Sequence, residues 1–444
     1  MMTQAILFKF EESKASTRMI LTSFYVFSLM VTGIFCAAVT AGESPDYSSK
    51  SVFEDESYDW CEAYKEMGKL YSNQDNPVLQ EFKLMGRFQY QYANVDGKGG
   101  GTSFDYDTDE VRRFYFGGAA KMFNYLELSG QANIFRDRGP VRGSRGFVFQ
   151  HMWDLYARLD LNTALGLGAL DVFKFGYGKR ELNMSEEWNV SSKSIKTVER
   201  SAISNKIWPY DLGFSNPTGG WFEFKNDNWS GDIGAFSTSH NDWIANWDDG
   251  EMFYMRNKFQ FTDRTGADIS EVLWTAFYQN AGLGDKSLAN GLDWASSLAL
   301  RYGEGPWTMR IEGIAGDNGD TNAVGGAKAA VRQGTFWGFV FLPSYYLVED
   351  KLEAVFRYQY EGASEAQGVR VYSRYSRRAD AVGATNLPFG GRGDKHHSFY
   401  TGLNYYLCGD NAKIMAGIQY DDIDSGAVDV YNGWTTFLAF RTFF

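Results

Sequence analysis

From Phe82 onward, apolar and polar residues alternate with period two, the spacing of a β-strand with one oily face. Over 82–94, Phe82, Leu84, Phe88, Tyr90 and Tyr92 share one face, and Lys83, Arg87, Gln89 and Gln91 share the other. Over 351–361, Leu352, Ala354, Phe356, Tyr358 and Tyr360 alternate with Lys351, Glu353, Arg357 and Gln359. In the stretch GWTTFLAFRTFF the face Trp434, Thr436, Leu438, Phe440, Thr442 and Phe444 carries no charge, and the other face holds Arg441. The pattern predicts strands over 82–94, 109–123, 125–135, 147–162, 169–181, 218–226, 229–238, 251–262, 269–280, 292–304, 306–316, 334–344, 351–361, 396–408, 411–423 and 432–444. Most have the length of a tilted strand that crosses a bilayer.

The connections sort by length. Every second one is short: Asn124, 163–168, 227–228, 263–268, Gly305, 345–350 and 409–410. The others are longer, and 182–217 and 362–395 are very long. Short turns at one end and long loops at the other predict an all-β, transmembrane antiparallel β-barrel of about 16 strands, with the short turns periplasmic and the long loops extracellular. Closure pairs every backbone N–H and C=O, which lipid requires. The last strand then closes on the first, and its oily face rests on lipid. A soluble β-sandwich also alternates, but its loops would not sort so regularly.

Composition fits this reading. The 444 residues include 27 Tyr, 35 Phe, 13 Trp and 48 Gly but only 8 Pro. Aromatic side chains at that level suit a membrane interface. The formal net charge of −12 gives no indication of a nucleic-acid partner. No zinc-type Cys/His cluster stands out, no metal or cofactor is expected, and His396-His397 reads as a solvated pair in a loop.

One segment differs in kind. MILTSFYVFSLMVTGIFCAAVTA, Met19 to Ala41, is the long apolar run, preceded by Lys14 and Arg18 and ending in small residues. It reads as a cleaved signal peptide over 1–41, the alternative being a permanent helical anchor. Cys36 lacks the small residue that precedes a lipidated cysteine. A periplasmic segment over 42–81 follows, with a short helix expected from Tyr58 to Leu70, and the barrel occupies 82–444. The expected location is the bacterial outer membrane.

Alternation also assigns the lumen. A Lys or Arg facing lipid at mid-depth costs about 2–4 kcal/mol, so charges mark the inner face. Inward bases are Lys83, Arg87, Arg113, Lys121, Arg158, Lys174, Arg180, Arg256, Lys258, Arg301, Arg310, Arg357, Lys413 and Arg441. Inward acids are Glu127, Asp154, Asp160, Glu271, Asp293, Glu312, Glu353 and Asp421. Arg112 breaks the pattern and is placed at the rim. The lumen leans basic, which concentrates anions in a low-dielectric cleft. The plainer reading is that inward acids and bases pair and stiffen the wall.

Two loops stand out. NVSSKSIKTVERSAISNKIWP, Asn189 to Pro209, is partly apolar and carries Lys193, Lys196, Arg200 and Lys206, and it is expected to pack into the lumen as a constriction. VRVYSRYSRRAD, with Arg370, Arg374, Arg377 and Arg378, reads either as a basic vestibule or as a solvated surface that meets lipid phosphates.

From strand 1 onward the chain resembles the phosphate-selective porins of the O/P type. The matching pieces are LMGRFQYQYANVDG, DEVRRFYFGGAAKMF, FKFGYGKRELN with VERSAISN, and the closing stretch from GDKHHSFYTGLNYYLCGDNAKIMAGIQY to GWTTFLAFRTFF. The resemblance implies a sixteen-stranded homotrimeric channel in outer-membrane lipid whose third loop folds inward. Small anionic or hydrophilic solutes, phosphate among them, are then the expected cargo. No dense basic ladder is evident, and acids share the lumen, so a general porin is the alternative. Cys61 precedes strand 1 and Cys408 lies at the strand 14–15 turn, so both are expected in the oxidising periplasm as candidates for a disulfide or as two free thiols. A membrane-embedded enzyme would need a Ser/His or acidic constellation at the rim. The four His are His151, His240, His396 and His397, and no G-x-S-x-G is evident. A barrel plugged by its own loops is the remaining alternative.

Overall fold

The structure is a computed structural model that describes residues 60–137, 145–168, 170–208, 216–238, 244–280, 291–319, 331–371, 373–376, 379, 383–384 and 386–444. The signal-peptide reading and His240, Arg377 and Arg378 lie outside these residues. Sixteen antiparallel strands form one closed wall. They are β1 (Leu79–Gly99), β2 (Thr102–Met122), β3 (Leu126–Arg136), β4 (Gly146–Asp160), β5 (Val172–Lys179), β6 (Thr218–Asn226), β7 (Trp229–Ser237) and β8 (Glu251–Gln260). They continue as β9 (Ile269–Asn280), β10 (Trp294–Glu304), β11 (Trp307–Asp317), β12 (Thr335–Val348), β13 (Leu352–Ala363), β14 (Lys395–Tyr406), β15 (Ala412–Ser425) and β16 (Val428–Phe443). Each strand pairs with the next, and β16 closes on β1 from Asn432 opposite Lys98 to Phe443 opposite Arg87.

The alternation in the sequence is the alternation of the wall. Phe82, Tyr90, Tyr92, Phe116, Trp274, Leu298, Trp337, Phe356 and Trp434 are exposed on the outer face. Gln89, Gln91, Arg113, Glu312, Arg357 and Gln359 are buried on the inner one. Among the described residues no helix is long and apolar enough to cross a membrane, which says nothing of strands.

Two expected loops are strand instead. The ladder of β1 and β2 runs through 95–108 to a turn at Gly100 and Gly101, whose φ values of 55° and 87° suit a hairpin turn with both central residues left-handed. The last hairpin likewise turns within Gly426–Ala427. The alternation reverses there: Val95, Phe104 and Val430 are buried on the inner face while Asp96, Lys98, Asp105 and Asp107 are exposed on the outer one, so a count that looked for an oily outer face hid the strands. Among the described residues the helix expected over Tyr58 to Leu70 covers Trp60–Glu66 and ends early, and Lys69–Ser72 pairs with the start of β1 instead. Cys61 is bonded to Cys408, with their Cα atoms 5.3 Å apart, which ties this helix to the turn after β14.

Candidate functional site

The connection from β5 to β6 leaves the wall at Arg180 and crosses the lumen. Two short helical turns brace it. Ser185 caps Glu186–Asn189 by accepting from the Trp188 N–H at 3.1 Å, and Ser201 caps Ala202–Lys206. Leu182, Met184, Val198, Ile203 and Ile207 are fully buried in one apolar cluster with inward wall residues such as Phe277, Val355 and Tyr400. Trp188 stacks on Trp208 at 4.1 Å.

Polar contacts fix this loop to many strands. Arg357 reaches Glu187 at 3.0 Å and the Glu199 carbonyl at 2.8 Å. Arg301 holds Glu186 at 2.7 Å, with Arg310 3.4 Å away. Lys196 pairs with Glu353 and donates to Thr308 and Ser344, each at 2.7 Å. Gln359 accepts from the Ala202 N–H at 2.6 Å. Lys206 donates to Asn318 at 2.6 Å. Burial alone would raise the Glu199 carboxyl, but Arg112 at 2.8 Å holds it well below the usual carboxylate range.

The Arg112 contact corrects its expected rim position. Gln89 opposes Arg113 while Tyr90 opposes Val111, so Arg112 is the extra residue of a β-bulge. The bulge turns both arginines of the DEVRR stretch toward the interior, a device invisible to a period-two count.

The expected inward bases divide into two groups. Those from β4 to β11 are paired, as are Arg357 with Glu187 at 3.0 Å and Lys413 with Asp410 at 2.7 Å. Arg158 meets Glu127 at 2.6 Å and Glu223 at 3.2 Å, and Lys174 meets Glu127 at 2.5 Å. Asp232, fully buried, lies between Arg180 and Arg256, the latter at 2.6 Å. Lys258 meets Glu271 at 3.2 Å. Lys121 stands in register between Glu81 and Glu127, and Lys83 is exposed near Glu81 at 3.5 Å.

The second group faces the wall formed by β16, β1 and β2. Arg87 donates to the Ser192 hydroxyl at 2.9 Å. Arg441 donates to the carbonyls of Ser192, at 2.8 Å, and Val198. Arg113 donates to Gln89 at 2.9 Å. Arg200 donates to the carbonyls of Glu187 and Val190, at 2.8 and 2.9 Å, and stacks on Trp188 at 3.8 Å. Lys193 stands over the Phe443 ring at 4.5 Å. Among the described residues none of these five has a carboxylate partner within ion-pair distance. The Nε atoms of Arg87 and Arg441 are buried without any hydrogen-bond partner. Burial, with Arg87 and Lys83 nearby, pushes the Lys193 ammonium down to about 8. The positive excess is therefore local, a basic quadrant beside the constriction.

Counting only the loop's bases misses its acids. Glu186, Glu187 and Glu199 neutralise Arg301, Arg357 and Arg112, and SEEWN and VERS already show them in the sequence. The described residues of the late loop fit neither of the expected alternatives, Arg377 and Arg378 lying outside them. Val369, Val371, Tyr375 and Ala379 are fully buried in the same interior cluster. Arg374 and Tyr375 both bond Glu110 on β2. His396 is not solvated: it is buried on β14 between Glu361 at 2.7 Å and Asp421 at 3.1 Å. Lys351, assigned to the lumen, lies in the β12–β13 turn and is exposed.

No protein-family model matches the chain, and no curated protein matches it by sequence. Solved structures do resemble it. One is the outer membrane channel DcaP of Acinetobacter baumannii, at 9% identity over 84% of this chain and 100% of that one, with a TM-score of 0.50. Another is a loop L8 deletion mutant of OmpT, an outer membrane protein of Vibrio cholerae, at 11% identity over 82% of this chain and 99% of that one, with a TM-score of 0.50. At such identities the likeness is one of fold: a closed 16-strand antiparallel barrel of the outer-membrane kind.

Proposed function

We propose that this chain is an outer-membrane porin through which small hydrophilic solutes diffuse passively, with a preference for anions, and that it is not an enzyme. The observation that carries the anion preference is the basic quadrant of Arg87, Arg113, Arg200, Arg441 and Lys193, in which no base has a carboxylate within ion-pair distance among the described residues, Glu181, Glu187 and Glu199 acting on it only from further away. In a low-dielectric lumen, fixed positive charge without a counter-ion raises the local anion concentration. Paired bases such as Arg256 and Lys174 contribute little to that field.

Membership in the phosphate-selective O/P porins belongs to the same proposal. Its support is the Arg112–Glu199 contact, which joins two of the stretches that carry the resemblance. A homotrimer in outer-membrane lipid and a signal peptide over residues 1–41, followed by a periplasmic segment over 42–81, complete the reading.

The test is the reversal potential of the refolded protein in a planar bilayer under a KCl gradient, with phosphate added afterwards. Chloride selectivity with block by millimolar phosphate supports a phosphate path. Chloride selectivity without block leaves an anion-leaning general porin, and potassium selectivity sinks the anion reading. A second reading, a barrel closed by its own loops, draws on the apolar cluster that Leu182, Val198 and Ile203 share with Val371 and Tyr375. It expects no conductance at all.

A further inference from the structure

Four aromatic rings form a buried floor where the constriction loop meets β2 and β4. Tyr115 lies 5.2 Å from Trp153, Trp153 lies 5.7 Å from Trp208, and Trp208 stacks on Trp188 at 4.1 Å. The four make a cluster of their own, apart from the larger interior one. An arginine covers each end: Arg87 stands over Tyr115 at 5.2 Å and Arg200 over Trp188 at 3.8 Å. Two carboxylates belong to the middle. Asp154 follows Trp153 on β4, and Glu181 accepts from the Trp153 indole N–H at 3.3 Å. The Glu181 backbone N–H donates to Asp154 at 3.0 Å, which holds the two acids side by side. The Asn216 amide braces them, donating to the Trp153 carbonyl at 2.8 Å and to Asp154 at 3.4 Å.

These two acids differ from Glu127, Glu223, Asp232, Glu271 and Glu353, each of which holds a base at ion-pair distance. Among the described residues Asp154 and Glu181 hold none. Arg87 acts on Asp154, and Arg200 on Glu181, only from further away. Asp154, Glu181 and Arg87 are also partly exposed, while Arg200 and Asn216 are buried. A polar pair set wider than a hydrogen bond is completed by a third group that satisfies both sides. Two acids and two bases sum to zero, so this edge of the basic quadrant favours neither anions nor cations as such. It matches a solute that carries both charges at once.

We propose that Arg87, Asp154 and Glu181 form a subsite for small zwitterions of the free amino acid class, with the solute's carboxylate at Arg87 and its ammonium between Asp154 and Glu181. Both contacts are charge-assisted hydrogen bonds. The aromatic floor keeps water away from one side of them and so strengthens them. The subsite rests on the pore reading of the preceding section and not on phosphate selectivity.

The test is liposome swelling with the refolded full chain, using glutamine as the zwitterionic probe and xylose as an uncharged one of similar size. The ratio of the two rates is compared in wild type, Asp154→Asn, Glu181→Gln and Arg87→Gln, each checked for folding by heat-modifiable gel mobility. Asparagine at 154 can still accept from the Glu181 N–H, so the attachment survives while the charge goes. The glutamine-to-xylose ratio is expected to fall at least twofold in each variant. If Glu181→Gln or Arg87→Gln does not fold, Asp154→Asn still carries the test. A wild-type ratio in the folded variants overturns the subsite and leaves the pore intact. Equal falls for glutamine and xylose overturn it as well, since they report a change in pore width. No swelling with either solute in wild type overturns the pore and the subsite together.

Discussion

Gly86 and Phe444 exchange both backbone hydrogen bonds, at 3.2 and 3.1 Å, where the barrel closes. The Phe444 ring lies where a side chain on Gly86 would stand, and a Cβ built there overlaps it. The pair therefore needs a residue without a side chain on β1 and a large ring opposite. Gly86→Val forces the ring or the strand to shift, and overpacking of this kind costs about 1–3 kcal/mol. The expected outcome is a lower denaturant midpoint in detergent micelles, followed by tryptophan fluorescence, with channel selectivity unchanged. An unaltered midpoint would show that the ring moves aside freely.

Asp232 sits fully buried between Arg180 and Arg256. Removing its charge leaves two guanidinium groups facing each other in the wall. Breaking a buried pair from one side costs about 3–5 kcal/mol. Asp232→Asn is expected to lose most of its folded yield or to unfold at markedly lower denaturant. Asp232→Asn combined with Arg256→Met should recover part of the loss, and no recovery would argue against mutual compensation.

The division of the bases predicts a selectivity map. Arg87→Gln and Arg113→Gln remove charges without carboxylate partners and are expected to lower the chloride-to-potassium permeability ratio, each by about twofold or more. Lys174→Gln and Lys258→Gln remove charges already matched by Glu127 and Glu271, and they should change it little. Reversal potentials of the four variants decide the matter. Equal effects in all four would mean that the lumen responds to total charge and that the quadrant has no special place.

The fold was largely legible in the sequence, and the reason is physical. A wall between lipid and an aqueous or polar lumen forces each strand to alternate, so Phe82, Tyr90 and Tyr92 could be sorted from Gln89 and Gln91 by counting. The interior was less legible, because period two describes a regular strand and says nothing about what fills the lumen. The bulge at Arg112 shifts the count by one residue. The burial of Tyr375 follows from a loop reaching across the barrel to Glu110, more than 260 residues away in sequence (|i−j| = 265), a contact that no local pattern records. Pairing of inward charges was expected and holds for the tallied acids Glu127, Glu271 and Glu353, but the partners supplied by the loop were missed, because Glu186 and Glu187 lie on the loop and not on the strands that were counted.

Cys61 and Cys408 close a loop with a sequence separation of 347. Denatured but unreduced chain should then be more compact than reduced chain and run faster on a denaturing gel. Thiol labelling of the unfolded protein should gain two reactive groups on reduction. Equal mobility with and without reductant, together with labelling before reduction, would show two free thiols.

Lys193 gives the anion preference a pH dependence. Its ammonium is pushed down to about 8 by burial, with Arg87 and Lys83 adding like-charge repulsion. A base with a lowered value is charged below it and neutral above it, so the quadrant loses one positive charge as pH rises through about 8. The chloride-to-potassium ratio is expected to fall between pH 7 and pH 9, a range in which arginines keep their charge. Lys193→Met should start from a lower ratio at pH 7 and lose that part of the slope. Reversal potentials measured at several pH values in both proteins check this. The same slope in wild type and Lys193→Met would assign the titration to another group.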